Sequence, residues 1–436
     1  MNKTKLWLGV GSFVLAGSAL TPTAFDTANA GTGTAPALDK FAVSNIILAA
    51  ETEGSADEGG EQGGEGGGGA PVSYALASTD PNAFNYDAQP QIEAYADLAF
   101  SSYRDAAAAA QALDQAVDEL LNNPGDATLA AAREAWTKAR QPYLLTEAFR
   151  FYDGPIENVE GRINAWPMNE AAIDYVKDDP KAGIINSDNP LTTDLIVAAN
   201  QANDEANVTT GWHAIEFLLW GQDFSAEGPG ARPASDYTAG SAASDRRREY
   251  LQLAVKLLID DLSRLAAVWD PALTGGYAAS LKALPPREAI GRMLNGIAIL
   301  AGFEFMSQRL AVALDSGDQE DEHSCFSDTT HQDFVYDMQG IKNVWTGDGA
   351  GKERAGLDEL VKSIDPAIAE NVGKLLADAE GKVAALGNPW DRVLATPEGS
   401  PERKAGEDVV AALQALTKGL TEAGAKLGVL VLVPSG

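Results

Sequence analysis

Between residues 91 and 121 apolar side chains recur at helical spacing, with Ile92, Tyr95, Leu98, Ala99, Tyr103, Ala106 and Leu113 on one stripe. That pattern predicts a long amphipathic helix beginning near Pro90. The turn sequence NNPGD at 122–126 ends it, and 128–149 repeats the pattern through Leu129, Ala132, Trp136, Ala139 and Tyr143. The two are expected to pack as an antiparallel pair. From 151 to 176 Gly, Pro and Asn mix with aromatics, which reads as a structured loop before another helix near Asn169. GWHAIEFLLWG at 211–221 is different, because Trp212, Ile215, Phe217, Leu218 and Trp220 leave it no polar face. Such a helix is buried all round.

The polar stretch 227–245 then reads as a domain boundary. Beyond it, 246–269 resumes the amphipathic texture with Tyr250, Leu253, Leu257, Leu258, Leu262 and Leu265. Further helices are expected over 284–314, behind Pro285 and Pro286, over 356–386 and over 402–427, with GVLVLV near the end as the one strand-like run. The fold class is therefore all-α: two tandem four-helix-bundle-like domains, 89–228 and 244–432, with an internal duplication as their expected origin.

The first residues answer a question of location. Lys3 and Lys5 precede the apolar run LWLGVGSFVLAGSAL, and ANA at 28–30 offers small residues for cleavage, so 1–30 reads as a secretory signal. Residues 31–88, which include GSADEGGEQGGEGGGGA, read as a flexible acidic Gly-rich linker. No transmembrane segment is expected in the mature chain, since the apolar run is short and glycine-rich. With 63 acidic against 32 basic residues the net charge is −31, which argues against a nucleic-acid partner. The single cysteine, Cys325, rules out an intrachain disulfide.

Within the apolar helix His213 and Glu216 stand three positions apart, so they share a face. A buried carboxylate without a partner costs several kcal/mol, which leaves two readings. Either the pair is a satisfied structural contact, or both residues bind a metal, for which imidazole and carboxylate suit iron, zinc or manganese. The other two histidines, His323 and His331, bracket QEDEHSCFSDTTHQDF, which adds Ser324, Cys325, Ser327, Asp328 and Asp333. That segment is either a supply of further ligands or a solvated loop. Glu304 lies in the preceding apolar helix, and Glu147 stands three residues before Arg150, a spacing commonest in helical ion pairs.

Gly211, His213 and Glu216 fit G-x-H-x-x-E, the defining motif of the imelysins, and the blocks AREAWTKARQPYLLTEAFRFYDGPIE, INAWPMNEAAIDYV and EHSCFSDTTHQDF also resemble that family. The likeness spans roughly 92–432 and is closest to the branch called iron-regulated protein A. It implies an exported protein of the periplasm or cell envelope, with two duplicated helical bundles and the motif helix toward the cleft between them. It also implies one of two chemistries: metallopeptidase, or a role in iron acquisition. A zinc peptidase needs about three protein ligands, an open water position and a base, and no H-E-x-x-H helix exists here. A metal binder needs only ligands. The expectation is accordingly a transition metal, iron ahead of zinc, held by His213 and Glu216, then His323, Asp328 and His331, then Glu147 and Glu304. A peptide or an envelope transport partner is expected beside the metal, and a ligand-capturing module without metal stays open.

Overall fold

The computed structural model describes residues 85–434. The expected signal at 1–30, and the linker apart from its last residues, lie outside them. α1 (Gln89–Asn122) buries the stripe read from the sequence, Ile92 through Leu113, and continues it to Leu120. α2 (Asp126–Leu144) returns alongside it after the turn at Asn123–Gly125, burying Leu129, Ala132, Trp136, Ala139 and Tyr143. It tightens into a 3-10 turn, Leu145–Phe149.

α3 (Gly211–Trp220) is buried at every position and packs against α2 and α4 (Ala242–Trp269). α4 differs from expectation in its partner. The sequence placed it at the start of a second bundle, whereas its apolar stripe lies along α1. An amphipathic stripe fixes which face is buried and leaves the partner open.

The remaining long helices pack mainly with one another. α5 (Pro286–Ile299) runs on through a π-helical segment, Leu300–Ala311, and a last turn, Val312–Ser316. By length and composition Pro286–Ser316 could cross a membrane, but 56% of its apolar window is buried inside the fold, as in a core helix. α6 (Thr330–Thr346) touches the 3-10 turn, α2, the π segment and α7 (Pro366–Ala384), and so joins the two groups of helices. α8 (Pro401–Lys426) packs against α7 and the π segment. The expected helix over 356–386 breaks at Asp365, where Pro366 opens a new helix and the Asp365 carboxylate accepts from the Ile368 amide.

No strand forms among the described residues. The GVLVLV run is an extended tail pinned by Asn295, which donates to Leu430 O at 3.1 Å and accepts from Leu432 N at 2.8 Å. The helix expected near Asn169 shrinks to a 3-10 turn, Glu170–Ala172, in keeping with the glycine and proline density around it.

Candidate functional site

Gly211 starts α3 with φ +81, and a Cβ there would lie 2.3 Å from the Ile163 carbonyl oxygen. Only glycine satisfies both demands. Gly211→Ala is therefore expected to lower the unfolding free energy by about 2 kcal/mol or more, read by urea denaturation. Two residues later His213 Nδ1 meets Glu216 Oε2 at 2.9 Å, and Glu216 Oε1 accepts from both the backbone N (3.0 Å) and Oγ (2.7 Å) of Ser327.

On the other side of His213 stands Arg140 from α2, fully buried. Its Nη2 is 3.3 Å from His213 Nε2 and 3.3 Å from His323 Nδ1. The same guanidinium binds Asp333 through Nε and Nη2, each at 3.1 Å, and donates to Asn164 Oδ1 at 2.9 Å. Asp333 Oδ2 also meets His323 Nδ1 at 2.7 Å and accepts from Ser324 Oγ at 2.6 Å. The two imidazole rings lie 4.8 Å apart, centre to centre.

These contacts fix the protons. Arg140 is only a donor, so His213 Nε2 must accept and Nδ1–H must donate to Glu216. Burial, the Arg140 charge and His323 together push His213 well below its ordinary value, which keeps it neutral. Burial and Arg309 take His323 down to about 4 against the pull of Asp333. Asp333 resists its own burial because Arg140 and His323 hold it far below the usual carboxylate range. Burial raises Glu216 to about 8, opposed by Arg140 and Ser327. A carboxylate whose folded value is raised contributes stability that is present below its unfolded value, near 4.5, and lost as pH climbs through about 8. Glu216→Gln should flatten that part of the stability profile between pH 5 and 8, measured by thermal unfolding across the range.

The donor set His213, Glu216, His323 and Asp333 is right in kind for iron or zinc. The arrangement does not fit a resident ion. Both Glu216 oxygens are taken, the free lone pair of His213 faces a guanidinium, and that cation fills the gap between the imidazoles.

The other expected ligands lie elsewhere. Glu147 and Glu304 belong to an arginine network. Arg309 binds Glu147 Oε2 at 2.5 Å, Asp337 Oδ2 at 2.7 Å and Glu304 Oε1 at 3.0 Å, and Arg150 reaches Glu147 Oε2 at 2.7 Å. Against the burial penalty, Arg150 and Arg309 hold Glu147 far below the usual range, so it is a neutralised ion-pair partner. His331 is partly buried, its Nδ1 unpartnered, and burial lowers it. Asp328 approaches Asp223 and Asp391 instead of the histidine centre. Burial and these two neighbours raise Asp328 to about 8, while burial raises Asp223 to about 6.

Of the predicted residues, then, the fold brings together His213, Glu216 and His323. It adds Arg140 and Asn164, which the sequence reading did not select as site residues, and Ser327 and Asp333, which the sequence offered only as part of the segment between His323 and His331. Arg140 had a signal: it sits four residues after Trp136, on the apolar stripe of α2.

The family model described as imelysin matches residues 99–420. Iron-regulated protein A of Synechococcus elongatus is 25% identical over 321 residues, covering 72% of this chain and 79% of that protein. Among solved structures, a protein of Parabacteroides distasonis provisionally named iron-regulated protein A precursor superposes with a TM-score of 0.62. It has 21% identity and covers 78% of this chain and 94% of its own. An imelysin-like protein of Psychrobacter arcticus gives a TM-score of 0.58 at 16% identity, over 79% of this chain and 98% of its own.

Proposed function

Since this chain belongs to the imelysin family, we propose that it is an exported, iron-related protein of the cell envelope that binds a metal cation and does not hydrolyse peptides. The iron relation draws on the name of the Synechococcus relative, and export on the signal-like N-terminus and on the precursor designation of the Parabacteroides protein. One observation carries the choice between binder and peptidase: the Arg140 guanidinium lies 3.3 Å from both His213 and His323. A hydrolytic zinc centre needs that space for the ion and its water, and a free carboxylate as base. Here Glu216 is engaged at both oxygens.

A binder needs no water position and no base, only a set of donors with the right charge. Iron before zinc remains the expected cargo, with an envelope transport protein as its recipient.

The test uses the mature chain, stripped with chelator and reloaded with Fe2+ without oxygen. Stoichiometric iron after desalting, with no cleavage of an unstructured protein substrate, is the expected result. Chelator-sensitive cleavage that disappears in Glu216→Gln would overturn the proposal in favour of the peptidase.

A further inference from the structure

Loop 221–230 follows α3, and its residue Phe224 is 62% exposed. Just beneath it Asp223 approaches Asp328 and Asp391, and one carboxylate oxygen from each lies within 4.8 Å of the other two. That separation is about twice a metal–oxygen bond of 2.3–2.6 Å, so a single ion could touch all three. Glu322 is fully buried, and its carboxylate faces Asp391.

The cluster is unusual for what it lacks. Asp223 Oδ2 and both oxygens of Asp328, Asp391 and Glu322 are buried with no hydrogen-bond partner. Thr330 lies beside Glu322 without reaching hydrogen-bonding geometry. Asp391 is 2% exposed and Glu322 0%, so bulk water reaches neither carboxylate. By contrast, the buried Glu147, Asp174, Asp333 and Asp337 each have an arginine. Converging buried carboxylates without a counter-charge either share protons or hold a cation.

We propose that Asp223, Asp328 and Asp391, backed by Glu322, form a binding site for a hard, oxygen-preferring metal cation. The inference rests on the reading of this chain as a metal binder and supplies the site that the histidine centre does not. All-oxygen, multiply charged donor sets suit hard cations such as calcium, magnesium and manganese.

The G-x-H-x-x-E helix acquires a part in this. Glu216 grips Ser327 by two hydrogen bonds, and the next residue, Asp328, is held at φ +56, a conformation uncommon for a residue with a side chain. Glu216 is thus a positioning residue for the loop that presents Asp328.

The experiment is a titration of the chelator-stripped mature chain with Tb3+, a hard cation whose emission is sensitised by a nearby indole. Trp390, fully buried, is adjacent to Asp391. The expected result is saturable emission, displaced by Ca2+, Mn2+ and Fe2+, with affinity reduced roughly tenfold or more in Asp391→Asn and in Asp328→Asn. Above about pH 8, where the cluster is ionised, the same variants should raise the thermal midpoint of the metal-free chain, because a repelling charge is gone; a merely structural carboxylate would lower it. Weak, unsaturable emission equal in wild type and variants would overturn the site. Saturable Tb3+ displaced by Ca2+ but not by Fe2+ would uphold the site and remove the iron reading instead.

Discussion

Replacing Arg140 by methionine is expected to lower the unfolding free energy by about 3–5 kcal/mol, the usual cost of leaving one partner of a buried ion pair behind. Methionine fills much of the same volume, so the loss is mainly electrostatic. Arg140 supplies two hydrogen bonds to Asp333, one to Asn164 and the charge that faces both imidazoles. Without it Asp333 keeps only His323 and Ser324. Its carboxyl should then titrate much closer to the ordinary range. The companion variant Arg140→Met with Asp333→Asn removes the whole pair and should recover much of the loss. Urea denaturation of the single and double variants reads the coupling, and a single-variant loss under about 1 kcal/mol would mean that the centre is not held by this arginine.

Arg309→Met is expected to cost a similar amount, about 3–5 kcal/mol, from the other buried network. Arg309 is the shared cation of Glu147 after α2, Glu304 in its own π segment and Asp337 in α6. Glu147 would retain Arg150 and Tyr143, but Asp337 would lose its one ion-pair partner, and its Oδ1 is already unpartnered. Arg309→Lys should rescue little, because a single ammonium cannot reach three carboxylates in different directions. Asp337→Asn added to Arg309→Met should restore part of the stability. Denaturation midpoints for the set decide it: equal midpoints for Arg309→Lys and wild type would show that only the charge matters.

Both variants act on arginines that sequence reasoning passed over, and the reason is physical. A 3.6-residue stripe records burial, so α1, α2, α4 and the all-round burial of α3 were legible from periodicity alone. It carries no information about which buried polar group meets which. His213 and Glu216 could be read as partners because one helix turn holds them 2.9 Å apart. Glu147 and Arg150 likewise form the ion pair that their spacing suggested.

Residues that meet across long sequence separations were beyond that reach. Arg140 meets Asp333 from 193 positions away, and Ser327 meets Glu216 from 111. Asp328 was legible as a candidate ligand, but its companions are distant in sequence, Asp223 in the loop after α3 and Asp391 in the short helix Trp390–Leu394. The π segment hid as well, since its five-residue link between Glu304 and Arg309 matches no α-helical spacing.

A metal cation held by the carboxylate cluster, and not by the histidine centre, responds to substitution at one site and not at the other. The most direct measurement is the iron content of the purified mature chain after loading without oxygen, by elemental mass spectrometry, for wild type, Asp391→Asn and His213→Gln. Stoichiometric iron is expected in wild type and in His213→Gln, and its loss in Asp391→Asn. Metal lost in His213→Gln but kept in Asp391→Asn, zinc above all, would contradict that expectation and return the motif helix to the role of ligand.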